Sequence, residues 1–255
     1  MSAILAVARG TFREAVRDRV LFLVVAFGAA SLAMSRLLAP ISLGEAPRIT
    51  VDLGLSALGM IGIAIVVLIG TQLVHKEIER RTIHVVLSRP LSRTQYLVGK
   101  WGGLTATMAV AVAAMTIMLA ALGAAMRGPQ IVGPIVQAAF MIACANAVLA
   151  ALAVLFSSLS TPILSVVYTM GLYATGWWTN DIRNFAAQMP GLVGGAARVA
   201  SYLIPNLELF NLRAQVTHGE GATLIHLALA VGYAAAYVTA VLALAVVAFE
   251  RRELK

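Results

Sequence analysis

The sequence predicts an all-α membrane protein with six transmembrane helices, and three observations lead there. Hydrophobic residues make up 60% of the 255 and charged residues 12%, with a mean hydropathy of +0.90; soluble domains average about 45–50% and about 25%. The charges are also segregated, leaving the uncharged runs Val20–Ser35, Leu53–His75, Trp101–Met126, Gly128–Asn180 and Gly221–Phe249. A spanning helix needs about 20 apolar residues to cross roughly 30 Å of hydrocarbon. The chain therefore reads as one membrane domain over residues 1–255, with spans near 20–39, 53–74, 102–126, 133–156, 161–179 and 224–249.

Residues 1–19 precede the first span and read as a helix lying in the membrane surface from residue 3. Ile4, Leu5, Ala8, Phe12, Ala15 and Val16 cluster on one side, while Arg9, Arg13 and Arg17 recur every four residues. Basic amphipathic helices of this kind suit the headgroup boundary, where membrane lipids are the partner. The first span carries Arg36 near its end; an arginine there can snorkel and let the helix run on to about Ala39. No clear small-x-small cleavage site follows, which favours a span over a signal peptide.

Between spans two and three, Glu77, Arg80, Arg81, His84 and Ser88 share one helical face, and Glu77–Arg81 is a favourable i,i+4 pair. The spacing predicts a short charged helix that ends before Arg89-Pro90, because the residue ahead of a proline is pushed out of helical geometry. Ser92 and Gln95 then have capping-box spacing, which starts a new helix through Tyr96 and Lys100 into span three.

The run Gly128–Asn180 is too long for one crossing, since roughly 53 helical residues would reach nearly 80 Å. Ser157-Ser158-Leu159-Ser160-Thr161-Pro162 supplies the break, because Pro162 removes a helix donor and the hydroxyls can bond the backbone. Beyond span five, Phe185, Met189, Leu192, Ala196, Val199 and Leu203 alternate steps of four and three. An amphipathic helix is expected over much of 190–204, then a second short helix through Leu209, Leu212 and Val216 ending at Gly219.

Lys and Arg distribution sets the orientation. Segments 1–19, 75–103 and 250–255 carry Arg9, Arg13, Arg17, Arg19, Lys76, Arg80, Arg81, Arg89, Arg93, Lys100, Arg251, Arg252 and Lys255, against Arg36, Arg48, Arg127, Arg183, Arg198 and Arg213 on the other side. Both termini are predicted to be cytoplasmic. The net charge of +8 is thus mostly a topology signal; scattered over both faces, it forms no nucleic-acid patch.

The sequence contains no P-loop, no H-E-x-x-H, no G-x-S-x-G and no paired-cysteine motif, so no catalytic residue and no metal or cofactor site is predicted. Cys144 stands alone inside span four as a packing residue, and His75, His84, His218 and His226 make no ligand-spaced pair. Ion-coupled carriers usually hold ionisable groups at mid-membrane. Gln72, Asn146 and Gln137 are the strong polar groups within the predicted spans, and Gln72 and Asn146 are the candidates for a substrate path. No energy source is visible on the chain itself.

Gly70-Thr71-Gln72-Leu73-Val74-His75-Lys76-Glu77-Ile78-Glu79-Arg80-Arg81-Thr82-Ile83, followed by Val86-Leu87-Ser88-Arg89-Pro90-Leu91-Ser92-Arg93 and Gly99-Lys100, resembles the cytoplasmic signature of ABC transporter type-2 permeases. Those are membrane subunits of bacterial exporters, among them permeases similar to those encoded beside copper-enzyme maturation factors. Phe12-Arg13-Glu14-Ala15-Val16-Arg17-Asp18-Arg19 and Phe249-Glu250-Arg251-Arg252-Glu253-Leu254 are also similar to that family.

The resemblance implies a permease that pairs with a second copy as a homodimer and sits on two copies of a cytoplasmic ABC ATPase, which would hold ATP and Mg. It also allows a periplasmic or accessory subunit, and it implies a bacterial inner membrane. The helix carrying Lys76, Glu77, Arg80, Arg81 and His84 would be the coupling helix, and the helix with Arg9, Phe12, Arg13 and Arg17 the interfacial elbow. Substrate would meet the dimer interface lined by spans two and five. The rival readings are an ATP-independent channel or carrier and a structural membrane anchor for a larger complex.

Overall fold

The computed structural model describes residues 3–17, 20–38, 45–72, 92–188, 195, 198–199 and 201–250. In chain order the helices are α1 (Ala3–Arg17), α2 (Val20–Leu38), α3 (Ala46–Leu68), α4 (Arg93–Arg127), α5 (Val132–Leu159), α6 (Pro162–Gly176), α7 (Thr179–Gln188), α8 (Arg213–Thr217) and α9 (Leu224–Glu250), with single 3-10 turns at Gly70–Gln72, Pro129–Ile131 and Glu208–Phe210. No strand occurs among the described residues. The chain is an all-α membrane protein.

Among the described residues, four segments are long and apolar enough to cross a bilayer: Pro47–Leu68, Arg93–Arg127, Pro129–Leu159 and Leu224–Phe249. The other two expected spans correspond to α2, of 19 residues, and α6, of 15. A 15-residue helix reaches only about 22 Å.

Several boundaries move for local reasons. α3 starts at Ala46 rather than near residue 53, because Pro47 presets helical φ in the first turn and Arg48 pairs with Glu45 at 3.0 Å. α4 starts at Arg93, directly after Ser92, as the capping-box spacing predicts, and runs on through the span expected from 102. Ser92 Oγ accepts from the Gln95 amide at 3.1 Å while the Ser92 amide donates to Gln95 Oε1 at 3.2 Å, so the expected capping box is present. Ser92→Ala is expected to cost about 1 kcal/mol of stability and to speed hydrogen exchange at the Gln95 amide. The 35 residues of α4 run without interruption for about 52 Å, well beyond the hydrocarbon thickness.

The break between α5 and α6 falls where Pro162 requires it. Ser160 turns extended, its hydroxyl and amide both donate to the Phe156 carbonyl, and Pro162 opens α6. The Ser160 and Ser165 hydroxyls lie 2.9 Å apart and tie the two helices across the turn.

α5 is the centre of the bundle and packs on α3, α4, α6 and α9, with Val148–Leu155 all buried. Lipid tails are as apolar as leucine, so close packing by small residues and cross-helix hydrogen bonds hold such helices together. Ala150, Ala151 and Ala153 are fully buried, and Trp101 Nε1 donates to the Ala147 carbonyl at 3.0 Å.

α1 docks against the start of α4. A Cβ on Gly99 would lie 2.7 Å from Val7 Cβ, and one on Gly103 would lie 2.6 Å from the Ala8 carbonyl oxygen, so both glycines let the helices approach. Only part of the apolar side read from the sequence makes this contact. Val7, Ala8 and the buried Thr11 make the contact, while Ile4 and Leu5 point away at 38% and 55% exposure. Backbone approach selects small residues, and large apolar ones cost nothing where lipid covers them. Arg9 and Arg13 are exposed, Phe12 is half-buried, and Arg17 closes the helix.

The end of α9 completes this foot. Arg93 Nη1 donates to the Phe249 carbonyl at 3.0 Å and its guanidinium lies 5.7 Å from that ring; Tyr96 stacks on the same ring at 6.2 Å.

The segment after α6 also departs from expectation. α7 begins at Thr179, ahead of the helix predicted over 190–204, of which residues 195, 198, 199 and 201–203 are described and helical. Of the predicted apolar stripe, Phe185, Val199 and Leu203 face away from the bundle at 63%, 65% and 73% exposure. Met189, Leu192 and Ala196 lie outside the described residues. The second expected helix splits into the 3-10 turn at Glu208–Phe210 and α8, and Gly219 closes it at φ +83° as the C-cap reading required.

A candidate polar cleft beneath the 201–223 segment

Residues 201–223 fold back onto the bundle rather than lying over it. Leu207, Phe210, Leu212 and Val216 are buried, and the segment is tied down from several helices. The Leu207 amide donates to the Gly176 carbonyl at 3.0 Å, and Thr179 Oγ1 donates to the Pro205 carbonyl at 3.2 Å. From α9, Tyr233 Oη accepts from the Asn206 amide at 2.9 Å and Tyr237 Oη donates to the Leu203 carbonyl at 2.8 Å. His226 Nε2 sits 3.1 Å from the Leu209 carbonyl and must carry the proton there, since a carbonyl only accepts. Arg127 Nη1 donates to the Thr217 carbonyl at 2.8 Å, and Gln137 Oε1 accepts from the Ala222 amide at 2.9 Å. Gly176 is required at the junction, where a Cβ would meet the Pro205 carbonyl at 2.9 Å.

This fold-back carries Arg213 to the wall of α3. A Cβ on Gly59 would stand 3.6 Å from Arg213 Nη2, and the guanidinium lies 5.6 Å from the centre of the Trp177 ring. One turn further along α3, Gly62 leaves room for the Asn146 side chain, whose Nδ2 a Cβ there would overlap. Gly59, Asn146, Tyr173, Trp177, Phe210 and Arg213 surround a small cavity of about 20 Å³, room for about one water. Asn146 is 3% exposed and its Nδ2 has no hydrogen-bond partner. Buried amides are nearly always paired, which sets this one apart from the rest of the bundle.

Of the sequence-predicted path residues, Asn146 thus lies in the bundle centre. Gln72 belongs to the 3-10 turn Gly70–Gln72, which packs beside Ala153. That is about 10 Å along α5 from Asn146, so the two do not share a site. Lys76, Glu77, Arg80, Arg81 and His84 lie outside the described residues. Among the described residues no group of three His, Cys, Asp or Glu is placed to hold a metal.

Arg213, Trp177 and Tyr173 were not legible as site residues. Arg213 entered only the charge count, because a lone arginine in a polar connecting stretch gives no sign that its helix tucks under the cap.

A bundle of long apolar helices with a buried amide and a half-buried arginine defines an integral membrane protein. Comparison with protein families places it further: the description ABC-2 family transporter protein matches residues 5–254, nearly the whole chain. The chain belongs to the ABC-2 family of transporter proteins, as a membrane-spanning permease subunit. Comparison with curated proteins finds no match.

Proposed function

We propose that the chain is the membrane subunit of an ATP-driven exporter in a bacterial inner membrane. It forms a homodimer of six-span permeases, with α2 and α6 completing the crossings and both termini in the cytoplasm. ATP hydrolysis by two separate cytoplasmic ATPase chains, which hold ATP and Mg, drives substrate movement or conformational signalling across the membrane. Lys76, Glu77, Arg80, Arg81 and His84 dock on the ATPase, and Asn146 contacts the substrate path.

Family membership over 5–254 is the observation that carries this reading. The foot of α4 supports the coupling part. α1 is seated on Gly99 and Gly103, α9 is tied to Arg93, and α4 runs unbroken from Ser92 to Arg127. A displacement delivered at the 73–91 connection would therefore move α1, α4 and the end of α9 as one body, the rigid-element motion that switching transitions use.

The test is co-purification with the ATPase encoded beside the gene, followed by ATPase assay of the complex. Glu77→Ala and Arg81→Ala are each expected to weaken association about thirtyfold or more, the usual effect of truncating one partner of an interfacial charge pair. A stable complex whose ATPase stimulation is unchanged by both substitutions sinks the coupling role. Substrate flux in liposomes without any ATPase would instead favour a channel or carrier.

A further inference from the structure

We infer that the cleft between Arg213 and Asn146 binds the negatively charged acceptor atom of a small anion, either a free halide or one anionic oxygen of a phosphate headgroup. Arg213 forms no ion pair among the described residues, and its side chain engages only the Trp177 ring. A cation half-buried among apolar helices is strongly disfavoured without a counter-charge or acceptor, and an aromatic face supplies only part of one. Asn146 Nδ2, a second donor, is buried against Gly62 and bonded to nothing. Gly59 and Gly62 are one helical turn apart on α3, so the guanidinium and the amide line the same wall about 5 Å from each other along the axis.

The remaining walls are apolar or aromatic: Tyr173, Trp177 and Phe210. Two donors, no nearby carboxylate among the lining residues and space of about 20 Å³ select one acceptor atom with negative charge. The Arg213 guanidinium repels a cation there, and the Trp177 face is already engaged by that guanidinium. A whole phosphate is too large, so a headgroup could present a single oxygen.

The site shares Asn146 with the proposed substrate path but is tested independently of the ATPase coupling, because binding is measured on this chain alone. Failure of the ATPase complex leaves the site intact, and failure of the site leaves the coupling role intact.

Trp177 provides the readout. The full chain in dodecyl maltoside micelles, which carry no phosphate, is titrated with sodium bromide, exchanged for gluconate at constant ionic strength, while tryptophan emission is recorded. Trp177→Phe identifies its share of the signal against Trp101 and Trp178. Saturable quenching of the Trp177 component is expected, weakened at least about tenfold in Arg213→Gln by loss of a charged hydrogen bond. Asn146→Leu, which removes the unpartnered amide without emptying its space, is expected to lose saturation while keeping or raising the melting temperature. That variant keeps the test decisive if Arg213→Gln fails to fold.

Repeating the titration in micelles with one-third phosphatidylglycerol separates the sources. If bromide saturation is unchanged the ligand is a free anion, and if it is competed away the ligand is a headgroup oxygen. Quenching that rises linearly with bromide, or saturates identically in wild type and Asn146→Leu, overturns the inference.

Discussion

Gly103→Leu is expected to detach α1 from α4 and to cost about 3 kcal/mol or more of stability. Overpacking costs about 1–3 kcal/mol where side chains can yield. Here the first new atom would meet the Ala8 carbonyl oxygen at 2.6 Å and Thr11 Cβ at 2.5 Å. A backbone carbonyl cannot move without its helix, so α1 must shift as a whole. A cross-link reports this directly. A Cβ on Gly102 would lie 3.9 Å from Ala8 Cβ, inside the roughly 3.5–4.5 Å that a disulfide needs. In a Cys144→Ala background, Ala8→Cys with Gly102→Cys is expected to oxidise to a disulfide, and adding Gly103→Leu to abolish it. Persistence of the cross-link at unchanged stability would show that α1 is not held by this glycine contact. If the foot is the coupling lever, the same substitution also uncouples ATPase activity while the complex still forms.

The second large effect is a non-additivity at Gly62 and Asn146. Gly62→Ala alone is expected to cost about 2 kcal/mol, because its methyl group overlaps Asn146 Nδ2 in a packed α3–α5 interface. Asn146→Ala removes both the obstacle and an unpartnered buried amide, at the expense of a cavity. In the double variant the new methyl group enters the space the amide left. The pair should therefore be more stable than the sum of the single effects predicts by about 1–2 kcal/mol, read from unfolding in mixed micelles. Additivity to within about 0.5 kcal/mol would mean that the two positions are not in contact.

Much of the local structure was legible in the residues themselves. The proline at 162, the Ser92–Gln95 box and the glycine at 219 each act on their own few neighbours, and each ends or starts an element where expected. Periodicity showed which residues share a face, as for Phe185, Val199 and Leu203 and for Ile4 and Leu5, but not whether protein or lipid covers that face. In a membrane protein lipid satisfies the same residues. The faces that touch protein are instead those where glycine, alanine and threonine permit backbone approach, as at Val7, Thr11, Gly99 and Gly103.

The amino-acid sequence by itself determined the class of protein, its long apolar helices, the caps and breaks that divide them, and the family resemblance that the comparison with known families bears out. Those follow from composition and from interactions within a turn or two of chain. Only the tertiary structure decided which surface of α1 is the contact, that the 201–223 segment folds into the bundle, and that Arg213 meets the wall of α3 one turn from Asn146. Those are contacts between residues far apart in the chain. They depend on where two glycines on a third helix leave space, which no spacing within either partner's own segment encodes.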